Sequence, residues 1–371
     1  MKLEILPVLG IGDVAEGDDL AELIATAAPW LRDGDVLVVT SKIVSKSEGR
    51  LVDVPADGPE RAAARDEILA AETARPVARR GNTRIVQTHH GFVMASAGID
   101  ASNVDRSRLV LLPKDPDASA RSLRAALLER HGADVAVIIS DTMGRPWRNG
   151  LTDVALGAAG IGAIRDHRGQ VDPYGNELSI TQMAVIDELA GAGELVKGKC
   201  DQVPVAVIRG YLPAAQPDDG VGAAALVRAA EQDLFSLGTA EARAAGLRSA
   251  ATLGEATPLS TPDGPEGGAG TVDAAAVARA IAAVGQAVAA GTVFTTVAAD
   301  DVPRFAGAVA DWPDGATGMI LCRLPGAPEP AALIRFGADL HRLRSALAAE
   351  GIASVALAPP PGATETAVLA V

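Results

Sequence analysis

The chemistry open to this chain is concentrated where apolar runs end. Val135-Ala-Val-Ile-Ile-Ser140 leads directly into Asp141-Thr-Met-Gly-Arg145. Ligands of α/β proteins gather beyond the carboxyl ends of strands, so Asp141 is well placed to meet one. Its carboxylate and the neighbouring Thr142 hydroxyl are oxygen donors of the kind that hard divalent cations prefer. The same pair also makes an ordinary capped turn, with Asp141 bonding local amides. From spacing alone the two readings weigh equally. Arg145 and Arg148 follow at once, in a chain otherwise short of positive charge.

Two further clusters have the same character. Ser96-Ala-Gly-Ile-Asp100-Ala-Ser-Asn103 follows the apolar run Phe92 to Ala95 and combines a carboxylate, a glycine and an amide. An isolated Asp-x-x-Asn is more often a turn than a ligand set. Thr40 to Arg50 follows the run Asp35 to Val39 and holds Lys42, Lys46 and Arg50 among several hydroxyls. It can neutralise phosphates, or it is a solvated basic turn. Asp172-Pro-Tyr-Gly-Asn-Glu177 reads as a turn.

Other motifs are excluded or weak. Gly193-Glu-Leu-Val-Lys-Gly-Lys199 fits part of a phosphate-binding P-loop, but Cys200 stands where Ser or Thr should hold magnesium. Val185 to Ala190 ahead of it reads as helix where a P-loop needs a strand, and Pro204 blocks a following helix. A turn entering the strand Val203 to Arg209 is the expected structure. There is no G-x-G-x-x-G fingerprint and no Gly-x-Ser-x-Gly elbow. The histidines (89, 90, 131, 167 and 341) lack metal-ligand spacing.

The elements that must position these residues alternate in type. Strands are expected at Leu3–Val8, Asp35–Thr40, Phe92–Ser96, Leu109–Leu112, Val135–Ser140 and Val203–Arg209. Helical patterns follow Asp18-Asp19, whose charges complement the helix dipole, and run from Ser119 to His131. Such alternation predicts an α/β fold. Thr257 to Gly270 is rich in Pro and Gly, marking a linker. Beyond it, helices are expected at 272–290 and 329–350, and strands at 292–297, 318–323 and 353–357. That organisation gives residues 1–248, a 249–271 linker, and a small α/β domain at 272–371.

Composition sets the partners. The 371 residues carry 47 acids against 33 bases, a formal charge of -14, which disfavours nucleic acid and anionic membranes. Only Cys200 and Cys322 are present, consistent with a reducing cytoplasm. The start of the chain lacks the basic and apolar regions of a signal peptide. Ala280 to Ala299 is free of charge, but it is mostly small residues and is read as helix plus strand rather than a membrane span.

Taken in order, the clusters resemble one family, the γ-glutamyl ligases of coenzyme F420 biosynthesis, in the form that carries a second domain. The resemblance rests on Glu4-Ile-Leu-Pro-Val-Leu-Gly10, Thr40 to Arg50, Ala97 to Asn103, Asp141 to Gly150, Asp172 to Glu177, Val196-Lys-Gly-Lys199 and Asp233 to Glu241. It implies addition of L-glutamate to a deazaflavin precursor at the expense of GTP, through an acyl phosphate. It also implies a distinctive α/β fold in an intertwined homodimer. By the same resemblance GTP is held by Ile11, Gly12, Asp13, Val14, Ser41, Lys46 and Asn103. Two divalent cations, Mg²⁺ or Mn²⁺, are held by Asp100, Asp141 and Thr142, with K⁺ as a further cation. No residue is named as the general base. In the two-domain form the second domain resembles an FMN-binding nitroreductase, whereas roughly 100 residues remain here. The expectation is therefore a degenerate or replaced domain without FMN. Two alternatives stand beside the ligase: a bifunctional ligase and flavin-dependent reductase, and a nucleotide-binding protein without catalysis.

Overall fold

The computed structural model describes residues 2–199, 201–253, 272–314, 316–324, 329–359, 361–362 and 366–371. Of the linker expected at 249–271, residues 249–251 are helical instead, and 254–271 lie outside the described residues, as does Cys200. The chain divides into two compact units, Met1–Thr239 and Ala240–Val371.

The first unit opens with β1 (Glu4–Val8), α1 (Leu20–Ala27), β2 (Val36–Thr40), α2 (Ser41–Ser47), β3 (Leu51–Asp53) and α3 (Gly58–Ala71). Then come β4 (Thr73–Arg80), β5 (Thr83–Thr88), β6 (Val93–Ala95), β7 (Arg108–Val110) and α4 (Pro116–His131). The hairpin of β8 (Ala136–Arg145) and β9 (Arg148–Ala159) leads to β10 (Ile164–Asp166), β11 (Gln182–Ala184), α5 (Val185–Lys197) and β12 (Val205–Arg209).

Five of these strands form the main sheet in the order β1-β12-β2-β8-β9. Among its pairs β2 and β8 run parallel and the others antiparallel. The unbroken apolar runs of β2, β8 and β12 follow from burial on both faces. Leu37, Val39, Val137, Ile139, Val205 and Val207 pack with α1, α2 and α4. Their neighbours Val36, Val38, Ala136, Ile138, Ala206 and Ile208 pack with α5 on the other face. This strict alternation carries into the polar end of β8, where it decides which way each functional side chain points.

Two expectations change here. Thr40 to Arg50 is no solvated turn: Ser41–Ser47 is helical, with Ile43 and Val44 buried in the core. Likewise β8 does not stop at Ser140 but continues to Arg145, because β9, a strand not expected from the sequence, pairs with it.

The second unit contains α6 (Thr239–Ala251, beginning at the division), α7 (Ala274–Val284), β13 (Val293–Thr296), α8 (Val302–Ala306), β14 (Met319–Arg323), α9 (Pro330–Ala349), β15 (Val355–Leu357) and β16 (Ala367–Ala370). Its antiparallel sheet, β13-β14-β16-β15, packs one face on α7 and α9 and the other on α8. The helix expected at 272–290 is shorter, ending at Gly285, a poor helix residue. Among the described residues no helix is long and apolar enough to cross a membrane.

Candidate active site

Beyond the carboxyl ends of the parallel pair β2 and β8 lies a cleft of ≈ 1030 Å³. Thr40 and Ser140 are register partners at that edge. The chain leaves β2 into α2, while β8 runs on as the edge of the cleft. Alternation along β8 points Ser140 and Thr142 toward α5 and Asp141 toward α2.

Gly12, Asp13, Val14, Lys46, Asp100, Asn103, Asp141 and Thr142 all line this cleft. Ile11 and Ser41 do not: both are buried, Ile11 in the core beside Val8 and Val14, and Ser41 in the first turn of α2. Arg145 and Arg148 are exposed at the far end of the β8–β9 hairpin and do not line it either.

Each side chain has an identifiable support. Gly12 has φ +75, with open space where a Cβ would lie, so glycine serves the turn's conformation. Lys46 donates to Asp13 Oδ1 at 2.7 Å, tying α2 to the loop before α1. That bond holds the Asp13 carboxyl below its ordinary value. On the opposite wall, Ser96, Ala97 and Gly98 have φ of 50, 53 and 71. Three successive left-handed residues turn the chain sharply after β6 and bring Asp100 round to the cleft. Lys42 Nζ lies 2.6 Å from Asp100 Oδ2, and Ser102 donates its amide and hydroxyl to the same carboxylate. Burial opposes ionisation of Asp100, but Lys42 and Ser102 outweigh it and leave the pKa lowered.

Asp141 differs. Burial pushes its pKa up to about 6, reinforced by the carboxylates of Asp153 and Asp100 and opposed by a hydrogen bond from the Thr142 backbone and, more weakly, by Lys42. A carboxylate in such surroundings is stabilised by any cation that reaches it. Among the described residues no three His, Cys, Asp or Glu side chains converge as a metal cage. Two carboxylates and a hydroxyl are nevertheless a sufficient protein share for Mg²⁺ or Mn²⁺ when phosphate oxygens and water complete the shell. The donor set fits.

Beneath Thr142 lies a network that sequence reasoning missed. Asp153 of β9 is the register partner of Thr142 and accepts its hydroxyl proton at 2.8 Å. Asp153 also accepts from Ser140 at 2.8 Å and Lys197 at 2.9 Å. Despite burial, Lys197 keeps the Asp153 pKa low. Lys199 reaches Thr142 Oγ1 at 2.5 Å and Glu194 at 2.6 Å. Glu194, Lys197 and Lys199 come from the segment that mimics a P-loop. There, Gly193 and Lys197 belong to α5 rather than to a turn. The usable signal for Asp153 was one carboxylate in an otherwise apolar stretch.

Fold and cleft together define a mixed α/β protein whose sheet edge carries lysines, carboxylates and a hydroxyl in one cavity. A family model described as F420-0:Gamma-glutamyl ligase matches residues 9–210. The coenzyme F420:L-glutamate ligase of Methanothermobacter thermautotrophicus is 42% identical over 252 residues, covering 63% of this chain and 99% of that protein. The ligase of the same name from Methanopyrus kandleri is 42% identical over 247 residues, covering 63% and 97%. That from Haloarcula marismortui is 40% identical over 249 residues, covering 62% and 95%. The chain belongs to the F420-0:gamma-glutamyl ligase family, and it is longer than these relatives.

Proposed function

We propose that this chain is a GTP-dependent ligase that joins L-glutamate, through its amine, to the carboxylate of a deglutamylated F420 precursor. The observation that carries this reading is the convergence of Lys46, Asn103, Asp100, Asp141 and Thr142 on one cleft. Amide formation from a carboxylate requires activation. The precursor carboxylate attacks the γ-phosphorus of GTP, GDP leaves, and an acyl phosphate forms. The glutamate amine then attacks the acyl carbon and expels inorganic phosphate.

In this reading Lys46 binds phosphate oxygens as a point charge, released from Asp13. The turn at Gly12 presents backbone amides, and Asn103 contacts the nucleotide. Asp100, Asp141 and Thr142 would hold Mg²⁺ or Mn²⁺. The divalent ions supply charge neutralisation between phosphates and the incoming carboxylate. Lys42 and Lys199 keep the negative charge of the cleft balanced before substrates arrive.

A homodimer belongs to the same proposal. Trp147, Tyr174 and Ile180 are 86%, 91% and 86% exposed, on the β8–β9 and β10–β11 projections. Apolar side chains displayed this way favour association with a second copy.

The acyl phosphate is tested by labelling the precursor carboxylate with heavy oxygen. The expected result is one heavy oxygen in each phosphate released. Unlabelled phosphate would exclude the intermediate.

A further inference from the structure

At the floor of the cleft, which Lys197 lines, is an ion pair that the proposed chemistry does not use. Lys197 and Asp153 are 2% and 3% exposed, with their charged atoms 2.9 Å apart. Burying two charges costs several kcal/mol, and an apolar pair of similar volume often stabilises a fold as well or better. Holding α5 against the sheet therefore does not require this pair.

What the pair does, and an apolar pair cannot, is orient hydroxyl groups. Asp153 Oδ1 takes the proton of Thr142, and Oδ2 takes that of Ser140. Lys197 Nζ donates to Asp153 Oδ2 and to Ser140 Oγ, each at 2.9 Å, and lies 3.3 Å from Glu194. Two of its three N–H donors are thus committed to Asp153 and Ser140, with the Glu194 carboxylate close by. With its proton committed downward, Thr142 turns oxygen lone pairs to the cleft. There they already accept from the Lys199 ammonium.

We propose that Asp153 and Lys197 are positioning residues, which fix the Thr142 hydroxyl as an acceptor aimed at a divalent cation. Asp153 sets the direction of the hydroxyl, and Lys197, donating to Asp153 Oδ2 at 2.9 Å, holds that carboxylate in place. The inference rests on the reading of Asp100, Asp141 and Thr142 as cation ligands. Partners behind metal ligands are worth about 10–100-fold in metal affinity.

The test is Mn²⁺ binding to the full chain, with and without GTP, read from the paramagnetic resonance signal of free Mn²⁺. Five proteins are compared: the parent, Asp141→Asn, Thr142→Val, the charge-balanced double variant Asp153→Asn/Lys197→Met, and that double change combined with Thr142→Val. Binding by the parent and its loss in Asp141→Asn establish the underlying reading. An unbound parent refutes that reading and takes the positioning role with it. The double variant is expected to weaken Mn²⁺ binding about tenfold while melting within a few degrees of the parent. In a Thr142→Val background the same double change should have no further effect. Parent-like affinity in the folded double variant, or an undiminished loss without Thr142, overturns the proposal. Should the double variant not fold, Asp153→Asn alone, which leaves Lys197 with Glu194, carries the same expectation. If neither folds, the pair is structural and the proposal fails.

Discussion

The ammonium of Lys46, 8% exposed, lies 2.7 Å from the carboxylate of Asp13, which is 90% exposed. A largely buried cation whose partner stands in solvent can exchange that partner for a phosphate at little cost, because exposed ion pairs contribute about 0–1 kcal/mol. Lys46→Met should therefore weaken GTP binding at least about tenfold, the loss of one charge-assisted contact. The melting temperature should stay within a few degrees. Calorimetric titration with GTP checks this, and parent-like affinity would remove Lys46 from the nucleotide site.

Asp141 sets activity against stability. Its carboxyl is raised by burial and by Asp153 and Asp100 to about 6. An acid with a raised folded pKa binds its proton more tightly folded than unfolded. Its contribution is therefore full below the ordinary carboxylate value and is lost as pH rises to about 6. Asp141→Asn should stabilise the metal-free protein by about 1–3 kcal/mol above pH 6, and hardly at all near pH 4. Turnover should be lost. Melting curves across that range, without divalent ions, check the sign. A variant less stable than the parent at neutral pH would contradict it.

Gly193 packs face to face with β2. A Cβ there would sit 2.8 Å from Val38 Cβ and 2.9 Å from its Cγ1. Alanine in a helix interior gains about 1 kcal/mol over glycine, whereas overpacking costs about 1–3 kcal/mol. Gly193→Ala should lower stability in urea by up to about 2 kcal/mol, with GTP affinity unchanged in the folded fraction. A loss of GTP affinity without loss of stability would restore the P-loop reading.

How much of this was legible depends on where polar residues sit relative to apolar runs. Asp141 and Thr142 were readable because five buried residues of β8 precede them and mark a strand end. Lys46 was visible as charge but not as structure. A Ser- and Lys-rich segment looks solvated until Ile43 and Val44 are seen anchoring it to the sheet. Asp153 was hidden because β9 begins with exposed polar residues and its buried end, Ala155-Leu-Gly-Ala-Ala159, is small rather than β-branched. Lys197 lay inside the P-loop mimic, where glycine serves close packing of α5 on Val38 and says nothing of phosphate.

A fragment ending at Leu253 should fold and retain ligation. Every residue assigned to the site lies in the compact unit that ends at Thr239, and the second unit has its own two-sided core. Glutamate incorporation by the fragment, within about threefold of the full chain, is expected for independent domains. An insoluble or inactive fragment would show that the C-terminal unit completes the ligase. Full-length protein purified without added flavin should be colourless; a yellow preparation with stoichiometric FMN would support the bifunctional alternative.

The central claim is ligation itself, and the mass of the product tests it most directly. The full chain is incubated with the deglutamylated precursor, L-glutamate, GTP and Mg²⁺ or Mn²⁺, and each component is omitted in turn. The account predicts a product heavier by a glutamyl residue, formed only when all components are present. Product formed equally without GTP, or no product with the complete mixture and a folded protein, would contradict it.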